Sequence, residues 1–416
     1  MKLSEGPVAL WAWPVAVLCL ALLVLLGDPW GAATHVRNIA FDAYRYAKPR
    51  TYEDPRARSG LTVKVLTADR ASYAKFGSWP WSHATLAKLT EDLKDSGAAL
   101  VVFAVPLDQP DPASPKTVLN YLPAGPTTDP IRATLAKLRS PDDVLARAMA
   151  DAHSVTGFTL ADAAHGPAPT IKTAIRMSGG RAETLLVPGY AAAAAALPVI
   201  EKASLGIGAL NLPVDADGKL RALPIVFKRA GKLVPGIDAE AVRLANAVAG
   251  MTLVAKPGGV LPGLGAPQLT SARIGLVDTE IASDGTMLIN FSKDAKRDIS
   301  AAALEAKTLP AGVLKNAVVY IAPLDATVMT PLGARSVGDV RAEALENILL
   351  DAGLSRPNAL GAEVLFAALG GAVIIFLGFR FGLIWAGVAA AVLIALSQAF
   401  AWAMFANSRL LVDALG

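Results

Sequence analysis

Apolar residues concentrate at the two ends of the chain, and polar, Pro- and Gly-punctuated sequence fills the space between them. Val8 to Gly27 reads VALWAWPVAVLCLALLVLLG, with Cys19 its sole ionisable side chain. Pro357 to Phe405 holds two more apolar runs, parted only by Phe379-Arg380-Phe381-Gly382. A helix needs about 20 apolar residues to cross a hydrocarbon core of ~30 Å. The pattern predicts transmembrane helices over 8–27, 357–379 and 382–405, a short cytoplasmic tail over 1–7, and one water-exposed domain over 28–356.

Within that domain the periodicity changes repeatedly. Thr34 to Tyr46 reads as a helix leaving the membrane, with Phe41, Tyr44 and Ala47 spaced for one face and Pro49 and Pro55 ending it. Leu61 to Leu66 alternates and is β-branched, the mark of a strand. Ser82 is placed to cap a helix running to about Asp95, with Leu86, Leu89 and Leu93 on one side and Gly97 beyond its end. Ala98 to Val105 is a continuous apolar strand, buried on both faces. Strand, helix and buried strand in succession make a right-handed crossover with parallel strands. Pro106 to Thr128 is too polar and irregular for an element. Ser140-Pro141-Asp142-Asp143 opens a helix, with proline in the first turn and acids at the positive dipole end.

Ser154 to Leu160 is the next expected strand. Tyr190 to Ala203, with its alanine run from Ala191 to Ala196, reads as a helix broken at Pro198. Leu205 to Leu210 and Leu220 to Lys228 read as strands joined around Asp215-Ala216-Asp217-Gly218. Ile237 to Val248 is a helix, Thr286 to Phe291 a strand, Val313 a helix end, and Ala317 to Ala322 a buried strand. Val340 to Asp351 is a helix directed past Gly353 and Pro357 toward the membrane. The sum is an α/β domain with a mostly parallel sheet and an inserted β-meander, flanked by transmembrane helices.

Charge sets the expected topology. Lys2 places the amino terminus in the cytoplasm, the domain then lies outside, and Arg380 falls in a tight cytoplasmic turn. Lys2 and the small residues Ala32-Ala33 would also suit a cleaved signal peptide, but the apolar stretch is long for one, so a retained anchor is the reading adopted. In the third span Gly387, Ala391, Ala395, Ala399 and Ala403 recur at every fourth position, a smooth face for helix packing. Gln398 is expected to bond to a neighbouring helix. Leu410 to Gly416 reads as the start of a truncated fourth span, with a cytoplasmic domain beyond it.

Composition narrows the function. With 53% hydrophobic residues and a mean hydropathy of +0.44, the chain is too apolar for an ordinary soluble protein. The net charge of +4 comes without a basic tract, so nucleic acid is not an expected partner. One cysteine excludes a disulfide framework within the chain. His35, His83, His153 and His165 lack ligand-like spacing, so neither a metal nor a cofactor is expected. Candidate ligand-binding residues are Asp69, Trp79, Trp81 and Asp108. The two tryptophans either wall a pocket at the carboxyl end of the first strand or, the preferred reading, plug a helix onto the sheet. Asp69 either caps the turn after that strand or faces the same crevice.

Other motifs read blandly. Asp215-Ala216-Asp217-Gly218 opens like a calcium loop but lacks the later ligands, which leaves a hairpin turn. Asp284-Gly285 is a turn before a strand. Pro257 to Gly265 is a linker, because no Gly-Lys-Ser/Thr follows its glycines. No nucleophile elbow or serine, histidine and acid cluster is recognisable, so no catalytic residue is expected.

The ordered series Asp69, Gly77, Trp79-Pro80-Trp81, Gly97-Ala98 and a buried strand ending before Asp108 resembles the CHASE2 extracellular sensory domain. The likeness continues through Leu205-Gly206 to Asn211, Asp217-Gly218, Arg221 and Pro224. It then runs through Asp284 to Phe291, Val318 to Ala322, Thr330-Pro331 and Ala342 to Leu350, covering about residues 35–405. The resemblance implies a bacterial inner-membrane, multi-pass receptor with a periplasmic sensor domain and a cytoplasmic output. That output is a class III adenylate or guanylate cyclase, a histidine kinase or a serine/threonine kinase, the cyclase being the one expected here. Three positions depart from the pattern: Ser82-His83 replaces Pro-Arg, Ala104 stands where an aspartate is typical, and Arg341 where a histidine is usual. The expected function is reception of an extracytoplasmic signal, relayed through the helix bearing Val340, Leu345 and Leu349. Expected partners are membrane lipid, a second copy in a homodimer and a small extracytoplasmic ligand. The alternative is a membrane-anchored periplasmic binding or scaffold protein with no catalytic output.

Overall fold

The structure, a computed structural model, describes residues 7–28, 31–163, 166–258, 267–357 and 360–413. Lys2, His165, residues 259–265 of the expected linker and Ala414–Gly416 lie outside the described residues. The helices that organise the chain are α1 (Pro7–Gly27), α2 (Ala32–Ala47), α3 (His83–Asp95), α4 (Pro141–Asp151), α5 (Ile237–Ala245), α6 (Val337–Leu349), α7 (Leu360–Phe381) and α8 (Leu383–Ser408). The strands of the main sheet are β1 (Thr62–Thr67), β2 (Ala98–Pro106), β3 (Ser154–Ala161), β4 (Ala192–Ala194), β5 (Gly206–Ala209), β6 (Asp298–Ser300) and β7 (Ala317–Ile321). Two compact units result. One comprises Met1–Pro49, Pro257–Ala266 and Leu354–Gly416, the other Arg50–Lys256 and Pro267–Gly353.

The second unit is built on the sheet β6-β1-β7-β2-β3, in which every neighbouring pair runs parallel. At its far edge β5 pairs parallel with the first half of β3, and β4 antiparallel with the second half. The strand sequences alternate their side chains across the sheet, as a period of two requires. Val63, Val65, Val102, Val318 and Tyr320 pack with α5 and α6 on one face. Leu66, Val101, Phe103, Val319 and Ile321 pack with α3 and α4 on the other. Ser82 caps α3 by accepting from the Thr85 amide at 3.1 Å, and Ser140 caps α4 from the Asp142 amide at 3.3 Å. A separate four-stranded sheet joins Ala174–Ser178, Gly250–Pro257, Pro267–Ile274 and Val277–Glu280.

Several local expectations are corrected. Pro115–Tyr121 is a helix inside the stretch read as irregular, with its proline at the first turn, where the missing amide donor is harmless. The alanine run is not helical: Ala192–Ala194 pairs with Thr159–Ala161, and the helix begins only at Pro198. Alanine's helix preference amounts to a fraction of a kcal/mol per residue, less than an open strand edge offers in backbone hydrogen bonds. The strands around Asp215–Gly218 do not pair with each other. β5 pairs with β3, Ala222–Pro224 with Thr286–Leu288, and Val226–Arg229 with Lys232–Pro235. Val313 lies in a turn, and the helix before it, Ala301–Glu305, ends well upstream.

In the other unit, Gly361–Phe381 and Leu383–Ser408 are 21 and 26 residues long and apolar enough to cross a membrane. Arg380 lies in the last turn of α7 rather than in the turn itself, which Gly382 makes at φ 93°. A Cβ on Gly371 of α7 would sit 2.4 Å from Leu18 of α1, and one on Gly378 would sit 3.4 Å from Ala386 of α8. Close approach therefore runs through the glycines of α7. Gly387, Ala391, Ala395 and Ala399 are exposed, away from that contact. Gln398 accepts from the Tyr44 hydroxyl of α2 at 2.7 Å, and Tyr44 packs 5.6 Å from Trp402 and 5.8 Å from Phe405. Leu410 bridges to Ser355 and Asp413 pairs with Arg37 at 3.3 Å, so residues 410–413 are not helical.

A Cβ on Gly208 of β5 would lie 2.3 Å from the Ile237 Cα at the start of α5. Gly208→Ala should therefore destabilise the fold by about 1–3 kcal/mol. Gly387→Ala, with nothing within 4 Å of the new atom, should not. Urea unfolding of both variants in detergent checks the difference.

Candidate functional site

Neighbouring strands β1 and β7 send the chain to opposite faces. β1 leads to α3 on one side and β7 to α6 on the other. Where parallel strands diverge in this way, neither helix covers the carboxyl ends, and a crevice opens. A cavity of about 450 Å³ lies there. Its walls are Val65 to Ala68 at the end of β1, Ala322 to Leu324 after β7, Ala334 to Ser336 with Gly338 and Asp339 at the start of α6, and Ala295 and Asp298 at the edge. Ser336 caps α6, accepting from the Asp339 amide at 3.1 Å. Gly338 lets this first turn come down onto the sheet, since a Cβ there would be 2.6 Å from Val65.

Behind the crevice α6 is buried almost all round. Asp339, Glu343 and Glu346 fall on one of its faces through i, i+4 and i+3 spacing; Asp339 is half-buried, and full burial obliges Glu343 and Glu346 to find partners. Arg297, 1% exposed, supplies them. It donates to Glu346 at 2.8 Å, to Glu343 at 2.6 Å and to Asp339. Arg50 donates to Glu343 at 2.6 Å and Glu346 at 2.9 Å, and Arg335 donates to Asp339 at 2.8 Å. Three guanidinium groups thus answer three carboxylates. Burial alone would lower the Arg297 pKa, but the Glu346 hydrogen bond and the Glu343 and Asp339 charges carry it above its ordinary value. Burial raises the Glu346 carboxyl, with Arg297 opposing. The Tyr52 ring lies 5.5 Å from the Arg297 guanidinium, and its hydroxyl is pushed up to about 12, chiefly by burial.

A second buried ion pair crosses to α5. Arg341 donates to Asp238 at 2.8 Å, and the Tyr320 hydroxyl donates to the same carboxylate at 2.9 Å. Burial raises the Asp238 pKa, and Arg341 opposes the rise. Of the departures from the resembled pattern, His83, Ala104 and Arg341 are buried and Ser82 is half-buried. Arg341 pairs with Asp238, Ala104 packs in the core, and His83 meets Asp142 at 2.6 Å through Nδ1.

Of the residues singled out in the sequence, Asp69, Trp79, Trp81 and Asp108 do not line the crevice. Asp69 caps the helix Arg70–Phe76 from an exposed position, and the Ser72 hydroxyl holds its carboxyl below the ordinary value. Trp81 is buried, donates to the Gly77 carbonyl at 3.1 Å and packs 5.5 Å from the half-buried Trp79. Asp108 is half-buried after β2. Val340 and Leu345 are buried in the core under α6, with Leu349 packed at its edge. Asp215 and Asp217 are both held by Arg221, at 2.5 and 2.6 Å. Sequence reading missed the Arg297 cluster. The signal available was acids at 339, 343 and 346, spaced for one helix face and interleaved with Val340, Ala342, Ala344 and Leu345.

The sequence profile of the CHASE2 domain matches residues 15–384. The match begins within α1 and ends at the start of α8, earlier at both ends than the likeness over 35–405 implied. It covers most of the chain, and the chain belongs to the CHASE2 domain family, a family of extracellular sensor domains. Neither the curated proteins nor the solved structures returned a significant match.

Replacing Arg297 with methionine leaves Glu343 and Glu346 buried with one guanidinium fewer. The expected loss is about 3–5 kcal/mol in urea unfolding, shrinking as the pH is lowered and the carboxylates take up protons. Burial, aided by Asp339, raises the Asp298 pKa against the opposing charges of Arg297 and Lys64. A raised acid favours the folded state fully below its unfolded pKa and loses that contribution as the pH climbs through the folded value. Asp298→Asn should therefore be more stable than the parent at neutral pH, with the difference vanishing in acid. A pH series of unfolding midpoints measures it.

Proposed function

We propose that this chain is the sensing part of a transmembrane receptor, with the α/β unit in the periplasm of a bacterial cell and the apolar helices in its inner membrane. A small solute in the crevice biases the arrangement of α6, and the output is a cytoplasmic class III adenylate or guanylate cyclase. The observation that carries this reading is the placement of α6. Its first turn walls the crevice, and the chain leaving its last residue, Leu349, enters the apolar α7 at Leu360. A ligand shifts such an equilibrium only by its differential affinity for two arrangements, and a helix end forming part of the pocket is where such a difference can arise. A second route leaves the same cluster: Glu343 and Glu346 hold Arg50, which follows α2 in the chain by three residues.

Family membership supports the extracytoplasmic placement of the domain, and the basic Arg380 beside Gly382 supports a cytoplasmic turn between α7 and α8. Signalling of this kind works between two copies, so a homodimer is part of the proposal. Alkaline phosphatase fused after Arg409 should be active and a fusion at Arg380 inactive. The opposite pattern would place the crevice in the cytoplasm and end the receptor reading.

A further inference from the structure

Three charged side chains line the crevice, and their commitments differ. Arg335 donates to Asp339 at 2.8 Å and to the Ser292 carbonyl at 2.7 Å. Asp339 also accepts from Arg297. Those two are spoken for. Asp298 is different: its backbone pairs with Val65 in the sheet, while its carboxylate makes no ion pair or hydrogen bond with any described residue. It is exposed on one side of a cavity whose lining also includes Val65, Ala68, Ala322, Pro323 and Leu324.

We propose that the crevice takes a small solute bearing a protonated amine, and that Asp298 is the carboxylate that holds it. This rests on the crevice being the ligand site. An ammonium group supplies the direct ion pair that Arg297 and Lys64, acting on Asp298 only through space, do not make, and a charge-assisted hydrogen bond is about twice as strong as a neutral one. The short hydrocarbon part of such a solute lies against the alanine, proline and leucine wall. An anionic solute would meet an uncommitted carboxylate, and the one guanidinium in reach is already engaged by Asp339. The geometry therefore selects against simple carboxylates. The raised pKa of Asp298 points the same way, since a neighbouring cation would offset the partial desolvation and the Asp339 repulsion that cause it.

The test uses the full chain in lipid nanodiscs at neutral pH and three probes of one length: butylammonium, 4-aminobutyrate and butyrate. Calorimetric titration should show the two amines binding and butyrate not binding. If only butylammonium binds, a simple amine is the ligand class. If 4-aminobutyrate binds more tightly, the ligand is a zwitterion. Asp298→Asn should weaken both amines by about tenfold or more, the worth of a hydrogen bond to a charged group. Glu91→Gln, an exposed change in α3 outside the crevice, should leave them unaltered. Ala68→Phe, which fills the crevice, should abolish binding. Butyrate binding that Ala68→Phe removes would overturn the amine assignment while leaving the crevice as the site. Amine binding that survives both Asp298→Asn and Ala68→Phe would overturn the site as well. Absence of binding by all three probes would also overturn the amine assignment.

Discussion

Neutralising the acids of α6 is the constraint on which the α/β unit depends. A helix buried on nearly every side carries Glu343 and Glu346 into the interior, with Asp339 half-buried beside them, and unpaired carboxylates in the interior would cost several kcal/mol each. Arg297 reaches in from the segment before β6, Arg50 from the stretch after α2, and Arg335 from the strand before α6. Ion pairs of this kind add little net stability over apolar packing, but leaving one member buried without its partner is costly. The cluster therefore fixes how residues far apart in sequence meet around one helix. Ser292 and Asn290 extend the arrangement, the first bonding to Glu343 and the second to Asn347.

The crevice follows from the same placement. Because α6 is drawn to the face opposite α3, the carboxyl ends of β1 and β7 stay uncovered, and Gly338 sets how closely the helix end comes down on them. Asp339 belongs both to the wall of the crevice and to the charge cluster. A change in the position of Asp339 at the wall would alter its pairing with Arg297. That gives the sensor reading a physical link between pocket and helix, with a named residue at the junction.

What the chain reveals before folding is uneven. The strands at Leu61 to Leu66, Ala98 to Val105, Ser154 to Leu160 and Ala317 to Ala322 were legible because β-branched runs between turn residues have few other structures open to them. The caps at Ser82 and Ser140 were legible for the same local reason. The alanine run misled because its intrinsic preference is weak and the edge of β3 was open to receive it. The small-residue stripe on α8 suggested a packing face; within the described residues it is exposed, while Gly378 of α7 faces Ala386 of α8 and Gly371 faces Leu18 of α1. Which of two smooth faces meets a neighbour is not written in the spacing alone.

The crevice and its charges were hidden for a different reason. Asp298, Arg335 and Asp339 come from separate segments, and no local pattern distinguishes an acid that will be paired from one that will not. By itself the sequence determined that apolar helices bracket an α/β domain of the CHASE2 family, because hydropathy and strand periodicity are properties of short windows. Only the tertiary structure decided that Glu343 and Glu346 are buried against arginines while Asp298 makes no ion pair with any described residue. Burial and pairing depend on what the rest of the chain brings to the same place, and no window of neighbouring residues contains that information.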